Sequence, residues 1–449
     1  MVRRFAWGFL IAMLPVTLAA QEAVRAEGGA QPPLRLTLQQ AIERGLANNL
    51  RVLAAGARIE EAGGSRERRW SALLPRARGD TTVSLQNRSL SAFGISFPGV
   101  PEVVPLFSTY DFRVSAEQPV FDRQSYHNFK ASEKQEQVAR NDYQDIRDLL
   151  VRQIAAVYLN AQAAAARAEA AESRVATAET LLRLATERRA AGVATGVDVL
   201  RADVQLANEQ QRRLELRNAA AQALLVLARQ IGMSPGTPLE LADPLRFDAV
   251  APPEVAPALA NSFASRADYL ALASQREALV TQQKANKARY LPRMSLRGDY
   301  GGIGRAVGQV KGTGTLAAGI SVTVFDRDRA GEEQELDSRV KRLDHQMADL
   351  RLGIEQEVRE ALLQMESAAQ EVGVAERGRG LAGRELELAR ERFAAGVTTN
   401  IEIVTAQQSV ARAQENYILA VSRHTDAKMA LARALGATEK IYTQYLGSR

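Results

Sequence analysis

One order of segments occurs twice in this chain. Val120-Phe121-Asp122-Arg123 returns 204 residues later as Val324-Phe325-Asp326-Arg327. Glu187-Arg188 followed by Ala190-Ala191-Gly192-Val193 returns at the same offset as Glu391-Arg392 followed by Ala394-Ala395-Gly396-Val397. Leu227-Ala228-Arg229 with Gly232 returns as Leu431-Ala432-Arg433 with Gly436. Three matches at one offset predict a tandem repeat of two large units. Upstream, Leu74-Pro75-Arg76 returns as Leu291-Pro292-Arg293 at an offset of 217. The first copy therefore carries 217 − 204 = 13 extra residues, and Pro98, Pro101 and Pro105 place them in a loop around 87–108. No proline lies between Pro119 and Pro235 or after Pro292, so long helices can run there. Pro244, Pro252, Pro253 and Pro257 mark residues 244–257 as the linker.

The proline-free tracts carry heptads. Leu150, Ile154, Val157, Ala161, Ala164, Ala168, Ala171, Val175, Ala178, Leu182 and Ala185 are spaced alternately by four and three residues. Adding 204 gives the series from Ile354 to Ala389, apolar except at Arg379. Such a seam predicts a coiled coil, and its many alanines predict close helix approach. A helix of about 65 residues is about 100 Å long, beyond the size of an ordinary globular domain.

Between the Leu-Pro-Arg and Val-Phe-Asp-Arg marks the period becomes two. Ala77, Gly79, Thr81, Val83 and Leu85 alternate with Arg78, Asp80, Thr82, Ser84 and Gln86, and Tyr110, Phe112, Val114 and Ala116 with Asp111, Arg113, Ser115 and Glu117. The second copy repeats this in Met294–Gly301 and Thr315–Val324. Four strands of about ten residues, apolar on one face and polar on the other, suit a transmembrane β-barrel with a wet lumen. Five phenylalanines (Phe93, Phe97, Phe107, Phe112, Phe121) sit in the first hairpin of a chain with 5% aromatics, as at a membrane interface. Four strands cannot close a barrel, and open edges cannot face lipid, so this reading requires oligomerisation.

Residues 1–20 read as a secretory signal peptide, with Arg3 and Arg4 before an apolar run and Leu18-Ala19-Ala20 at its end. An N-terminal membrane anchor is the alternative. No later stretch is apolar for long enough to form a spanning helix. The absence of Cys excludes disulfides, thiol catalysis and Cys-linked lipid anchors, and His127, His345 and His424 are scattered singly. We find no phosphate loop, nucleophile elbow or metal-ligand spacing, so no enzyme activity, metal or cofactor is expected. The small basic excess is spread along helices, which argues against a nucleic-acid partner.

The combination resembles the TolC-like outer membrane efflux protein family, over nearly all of the mature chain. The resemblance rests on the twice-repeated order of helix, Leu-Pro-Arg strand entry, hairpin, Val-Phe-Asp strand exit, long helix, Ala-Ala-Gly-Val turn and returning helix. It implies a mainly α fold with a membrane β part: a homotrimer whose twelve strands form one outer membrane barrel and whose helices continue as a periplasmic α-barrel. It implies an exit duct for a tripartite efflux or type I secretion system, partnered by a periplasmic adaptor and an inner membrane pump of the RND, ABC or MFS type. The expected division is 37–243 (helix, β-hairpin 76–121, helical hairpin about 123–232), linker 244–257, then 258–437 (helix, β-hairpin 293–325, helical hairpin about 329–436) and a tail, 438–449. Two other readings are a periplasmic adaptor, which normally carries a single hairpin, and a structural coiled coil of the envelope, which needs no amphipathic strands.

The two helix turns are the candidate site. Gly192 and Gly396 end one helix as C′ glycines, and Thr195 with Asp198, and Thr399 with Glu402, make capping boxes that start the next. By the resemblance, these turns with Val193 and Val397 meet the adaptor. Glu402 matches the first acid of a ring that narrows the pore, while the second position is Thr405. Positions that tie the closed state by polar links hold Phe393 and Thr398. Asp198 completes the set at the tip.

Overall fold

The computed structural model describes residues 33–96, 98–395, 397–398, 400–436, 438–440 and 442. The expected signal peptide, Phe97, Gly396 and Thr399 lie outside them. In chain order the elements are β1 (Leu34–Leu36), α1 (Leu38–Asn48), α2 (Leu50–Ser71), β2 (Arg76–Ser89), β3 (Val103–Phe121), α3 (Arg123–Ala190), α4 (Gly196–Gln230) and β4 (Leu239–Leu241). There follow α5 (Val255–Ser265), α6 (Ala267–Lys287), β5 (Arg293–Gly304), β6 (Lys311–Ser321), α7 (Asp328–Ala394) and α8 (Asn400–Leu435).

The heptad tracts become α3, of 68 residues, and α7, of 67, each about 100 Å long. The seam is inside: Leu150, Ile154, Ala161, Ala171, Val175, Ala178 and Ala185 are buried on α3, as are Ile354, Val358, Ala361, Met365, Ala368, Val372 and Ala382 on α7. Its one polar member, Arg379, stacks its guanidinium 4.0 Å from the Tyr417 ring centroid on α8, so the charge stays wet while the stem packs. Each long helix packs against its returning partner, α3 on α4 and α7 on α8, and α3 also packs on α8. Toward the turns the helical layer thus runs α4-α3-α8-α7, and toward the sheet α2-α3-α6-α7, so α2 and α4 edge it on one side and α7 on the other.

The helix expected before each hairpin is a broken pair. α1 and α2 part at Asn49, and α5 and α6 part 217 residues later at Arg266, so the break is repeated too. Asn49 caps α2 by accepting from the Arg51 amide at 2.9 Å, and donates to the Gln230 carbonyl at 3.1 Å. α5 begins at Val255, inside the segment expected as linker. Pro257 falls in its first turn, where no backbone N–H is needed.

The four membrane-type strands form one antiparallel sheet in the order β2-β3-β5-β6. Their register sorts side chains as the alternation predicts. Val114 pairs with Gly79 and Tyr300, and Leu296 with Gln118 and Ala318. On the other face Arg113 pairs with Asp80 and Gly301, and Arg297 with Glu117. Arg113 reaches over Gly301 to donate to Thr313 Oγ1 at 3.2 Å, and it forms an ion pair with Asp299. A Cβ on Gly301 would stand 2.3 Å from the Phe112 carbonyl oxygen, so no other residue fits under that crossing. One expectation is corrected: β6 ends at Ser321, four residues short of the predicted 325. Ser321 pairs with Arg293, the first residue of β5, so Val322–Phe325 have no strand to pair with. β3 runs on to Phe121 because β5 still pairs with it there, at Met294, after β2 has stopped opposite Glu117.

The main core gathers where the two copies meet. Tyr158, Ile154, Val151, Ile42, Leu227, Ile231 and Met429 are buried together, beside the two-stranded parallel sheet of β1 and β4. Tyr158 donates to the Leu36 carbonyl at 2.9 Å and lies 3.0 Å from Asp243 Oδ2, which also accepts from the Leu38 amide at 2.7 Å. The segment expected as a tail starts by packing on the first copy. The Glu439 amide donates to Asp148 at 2.8 Å, Glu439 pairs with Arg147, and Tyr442 joins the core. Arg433 on α8 pairs with Asp145 on α3 at 2.6 Å.

Candidate functional site

The four long helices end together at the tip farthest along from the sheet. Leu181 and Ala185 of α3, Ala202 of α4, Ala389 and Phe393 of α7, and Ile403 and Ala406 of α8 form one buried apolar cluster. Each of the four helices contributes an alanine to it, which lets them approach closely, and Leu181, Phe393 and Ile403 fill the space between.

Both turns use the same closure. The Val193 amide donates to the Arg188 carbonyl at 2.9 Å, and 204 residues on the Val397 amide donates to the Arg392 carbonyl at 3.0 Å. Gly192 stands at φ 75°, the left-handed conformation that this helix ending requires. Thr195 then caps α4: its Oγ1 accepts from the Asp198 amide at 3.3 Å, while Asp198 accepts from the Thr195 amide at 3.0 Å and hydroxyl at 2.7 Å. The Thr195 hydroxyl and amide hold the Asp198 carboxyl below the usual carboxylate range. Asp198 is thus engaged in the cap. Val193 and Val397 are 68% and 69% exposed, and Val197, Leu200 and Ile401 beside them are exposed as well.

Glu402 accepts from the Thr398 hydroxyl through Oε2, and its Oε1 lies 2.9 Å from Arg392 on the last turn of α7. Thr405 turns its hydroxyl back to the Ile401 carbonyl at 2.9 Å. Phe393 makes no polar side-chain link. Its ring lies buried under the Arg188 guanidinium, 4.3 Å from the centroid, and its carbonyl accepts from Arg188 at 2.7 Å. Arg188 therefore ties the first helical hairpin to the second. Sequence reasoning missed Arg188 and Arg392 as site residues, although both stand among the repeated marks. A cation on the last turn of a helix is the available signal.

A long helical layer with an apolar-ended tip, joined to a sheet that is charged on one face only, defines a class: one segment of an envelope-spanning channel wall. The chain belongs to the outer membrane efflux protein family, whose model matches residues 41–233 and 258–437. It is 24% identical over 418 residues to the pyoverdine export outer membrane protein OpmQ of Pseudomonas aeruginosa, covering 89% of this chain and 85% of the relative. It is 25% identical over 343 residues to the alkaline protease secretion protein AprF of the same organism, covering 71% and 69%. The crystal structure of the outer membrane protein VceC of Vibrio cholerae shares the fold with a TM-score of 0.76 at 17% identity, over 89% of this chain and 96% of that one. The protein is an outer membrane channel with a large periplasmic part. The family is one of channel proteins that work with inner membrane pumps and periplasmic adaptors.

Proposed function

We propose that three copies of this chain close into one duct that carries cargo from an inner membrane pump across the periplasm and the outer membrane. The observation that carries this is a matched pair of open edges. The sheet ends in β2 on one side and β6 on the other, and the helical layer ends in α2 and α4 on one side and α7 on the other. Each helical edge also shows an unpartnered apolar stripe. On α4 it is Val197, Leu200, Val204 and Leu214; on α7 it is Leu352, Leu363, Val374, Leu381 and Leu388. Joining β6 to the next copy's β2, and α7 to its α2 and α4, satisfies the sheet and helix edges at once. Three copies supply 3 × 4 = 12 strands, enough for a closed barrel.

In this assembly the units 37–243 and 258–437 are successive staves of the wall. The tips point into the periplasm. Gly192, Val193, Thr195, Gly396, Val397 and Thr399 form the adaptor contact, and the exposed valines supply its apolar part. Glu402, Thr405, Asp198, Phe393 and Thr398 belong to the constriction. The pump is of the RND, ABC or MFS type. The mass of the complex extracted from outer membranes in detergent tests this reading. Three chains per particle are expected; a monodisperse single chain overturns it.

A further inference from the structure

The sheet's two faces differ in more than polarity. On the face shared by Val114, Leu296 and Ile320, no charged side chain occurs along 77–85, 110–118, 294–302 or 312–320. From Arg76 to Gln86 on β2 and along the whole of the other three strands, the opposite face carries six cations and four acids; Arg88, beyond the β2 bulge and nearer the hairpin turn, is a further exposed cation. Each acid is taken. Asp80 lies 3.0 Å from Arg78, Glu117 lies 3.0 Å from Arg297, and Arg113 gathers both Asp111 and Asp299. That leaves Arg76, Arg293 and Lys311 with no carboxylate in ion-pair range among the described residues, all three exposed.

Two of these three occupy equivalent places. Arg76 opens β2 and Arg293 opens β5, each as the last residue of its copy's Leu-Pro-Arg. β2 and β5 both run antiparallel to β3, so they point the same way, and both guanidiniums stand at the end of the sheet that joins the helices. The register explains why they are unpaired. Glu117 faces Arg76 on one side and Arg297 on the other, and Arg297 holds it. Arg293 faces Ser321. The acids of the adjoining helix start, Asp326, Asp328 and Glu332, are collected by Arg289 at 2.6, 3.2 and 2.7 Å, so they do not reach the sheet.

We propose that the inner mouth of the barrel is an anion-binding ring, made by Arg76 and Arg293 of three copies, and that the duct favours cargo bearing carboxylate, phosphate or sulfonate groups. This deepens the trimer reading and rests on it. Six guanidiniums then face one aqueous lumen. Arginine offers a fixed fork of donors that matches oxyanions two bonds at a time. A charged cleft between low-dielectric walls concentrates ions of the opposite sign. Screening confines the effect to about 8 Å from the wall at physiological salt, so it acts on solutes that pass close to the ring.

The test is a planar-bilayer recording with inositol hexakisphosphate added on the side of the hairpin turns, from which it enters the barrel without crossing the helical tips. Wild-type channels should show concentration-dependent interruptions of current, relieved by salt. In Arg76→Gln/Arg293→Gln the blocking concentration should rise at least about tenfold, as expected for losing charged hydrogen bonds. Arg76→Lys/Arg293→Lys should keep most of the block, since the charge remains. If the double glutamine variant does not insert, Arg293→Gln alone should raise the blocking concentration part of the way. Conducting wild-type channels that are not blocked, equal block in the glutamine variants, or equal block by hexaamminecobalt(III) from the same side overturn the ring. Protein inserted without unitary conductance steps overturns the trimeric duct instead.

Discussion

His424 is buried on α8 at 1% exposure, against the extended segment between the two copies. Its ring meets Phe247 edge to face at 4.7 Å, and Leu245 and Phe247 pack on Val372 and Val421 beside it. Neither ring nitrogen has a hydrogen-bond partner, and Lys428 is buried one turn further on. Burial, then the Lys428 charge, push the imidazole from 6.5 down to about 4, against the opposite pull of Asp248. The fold therefore holds neutral His424, while the unfolded chain takes up a proton near pH 6.5. The stability this contributes is complete above pH 6.5 and is lost as pH falls through about 4. At about pH 5 the loss works out at about 2 kcal/mol per chain, and below pH 4 it approaches about 3 kcal/mol. His424→Leu removes the titration without removing a hydrogen bond. The assay is the denaturant midpoint of the helical circular dichroism signal in detergent, at about pH 7.5 and about pH 5. Wild type should lose about 2 kcal/mol more than His424→Leu between the two. Equal losses in the two proteins would refute the assignment.

Other expectations follow from the same geometry. Val114→Arg, on the uncharged face near mid-sheet, should cost about 2–4 kcal/mol in lipid, and Ser115→Arg on the opposite face should be mild, both read as unfolding in vesicles. Tyr158→Phe should cost about 1–2 kcal/mol by denaturation, because it strips a donor from the Leu36 carbonyl and from Asp243. At the tip, Arg392 offsets the Glu402 charge, so Glu402→Gln should change stability little and lower cation preference slightly. Arg392→Gln should raise cation preference and sharpen block by multivalent cations, measured by reversal potential.

What was legible in the sequence was what repeats locally. The alternation of apolar residues at two or at three and four gave the strand faces and the buried seam, including the place of Arg379. The partner that accommodates Arg379, Tyr417, was not legible, because no spacing links a residue on α7 to one on α8. His424 reads as an isolated polar residue for the same reason: Phe247 arrives from a linker 177 residues earlier. The short parallel pair is visible only in retrospect, as Leu-Arg-Leu at 34–36 and Leu-Glu-Leu at 239–241, too brief for periodicity to register. At the tip the capping box at Thr195 and Asp198 is a local motif and stands as read. In the sequence Phe393 reads as an apolar residue standing where the family places a polar link. Its burial depends on Arg188 from the other copy, and Glu402 depends on Arg392 across a turn, both contacts set by how the hairpins pack.

The central claim is that the sheet is the wall of a water-filled passage through the outer membrane. The chain has no cysteine, so single cysteines placed one at a time from Tyr110 to Glu117 on β3 give an unambiguous reading. Outer membrane vesicles carrying each variant would be treated with a water-soluble, membrane-impermeant maleimide. The account predicts labelling with a period of two: at 111, 113, 115 and 117, facing the lumen, and not at 110, 112, 114 and 116, facing lipid. Uniform labelling along the strand, as for a sheet wetted on both faces, would contradict it.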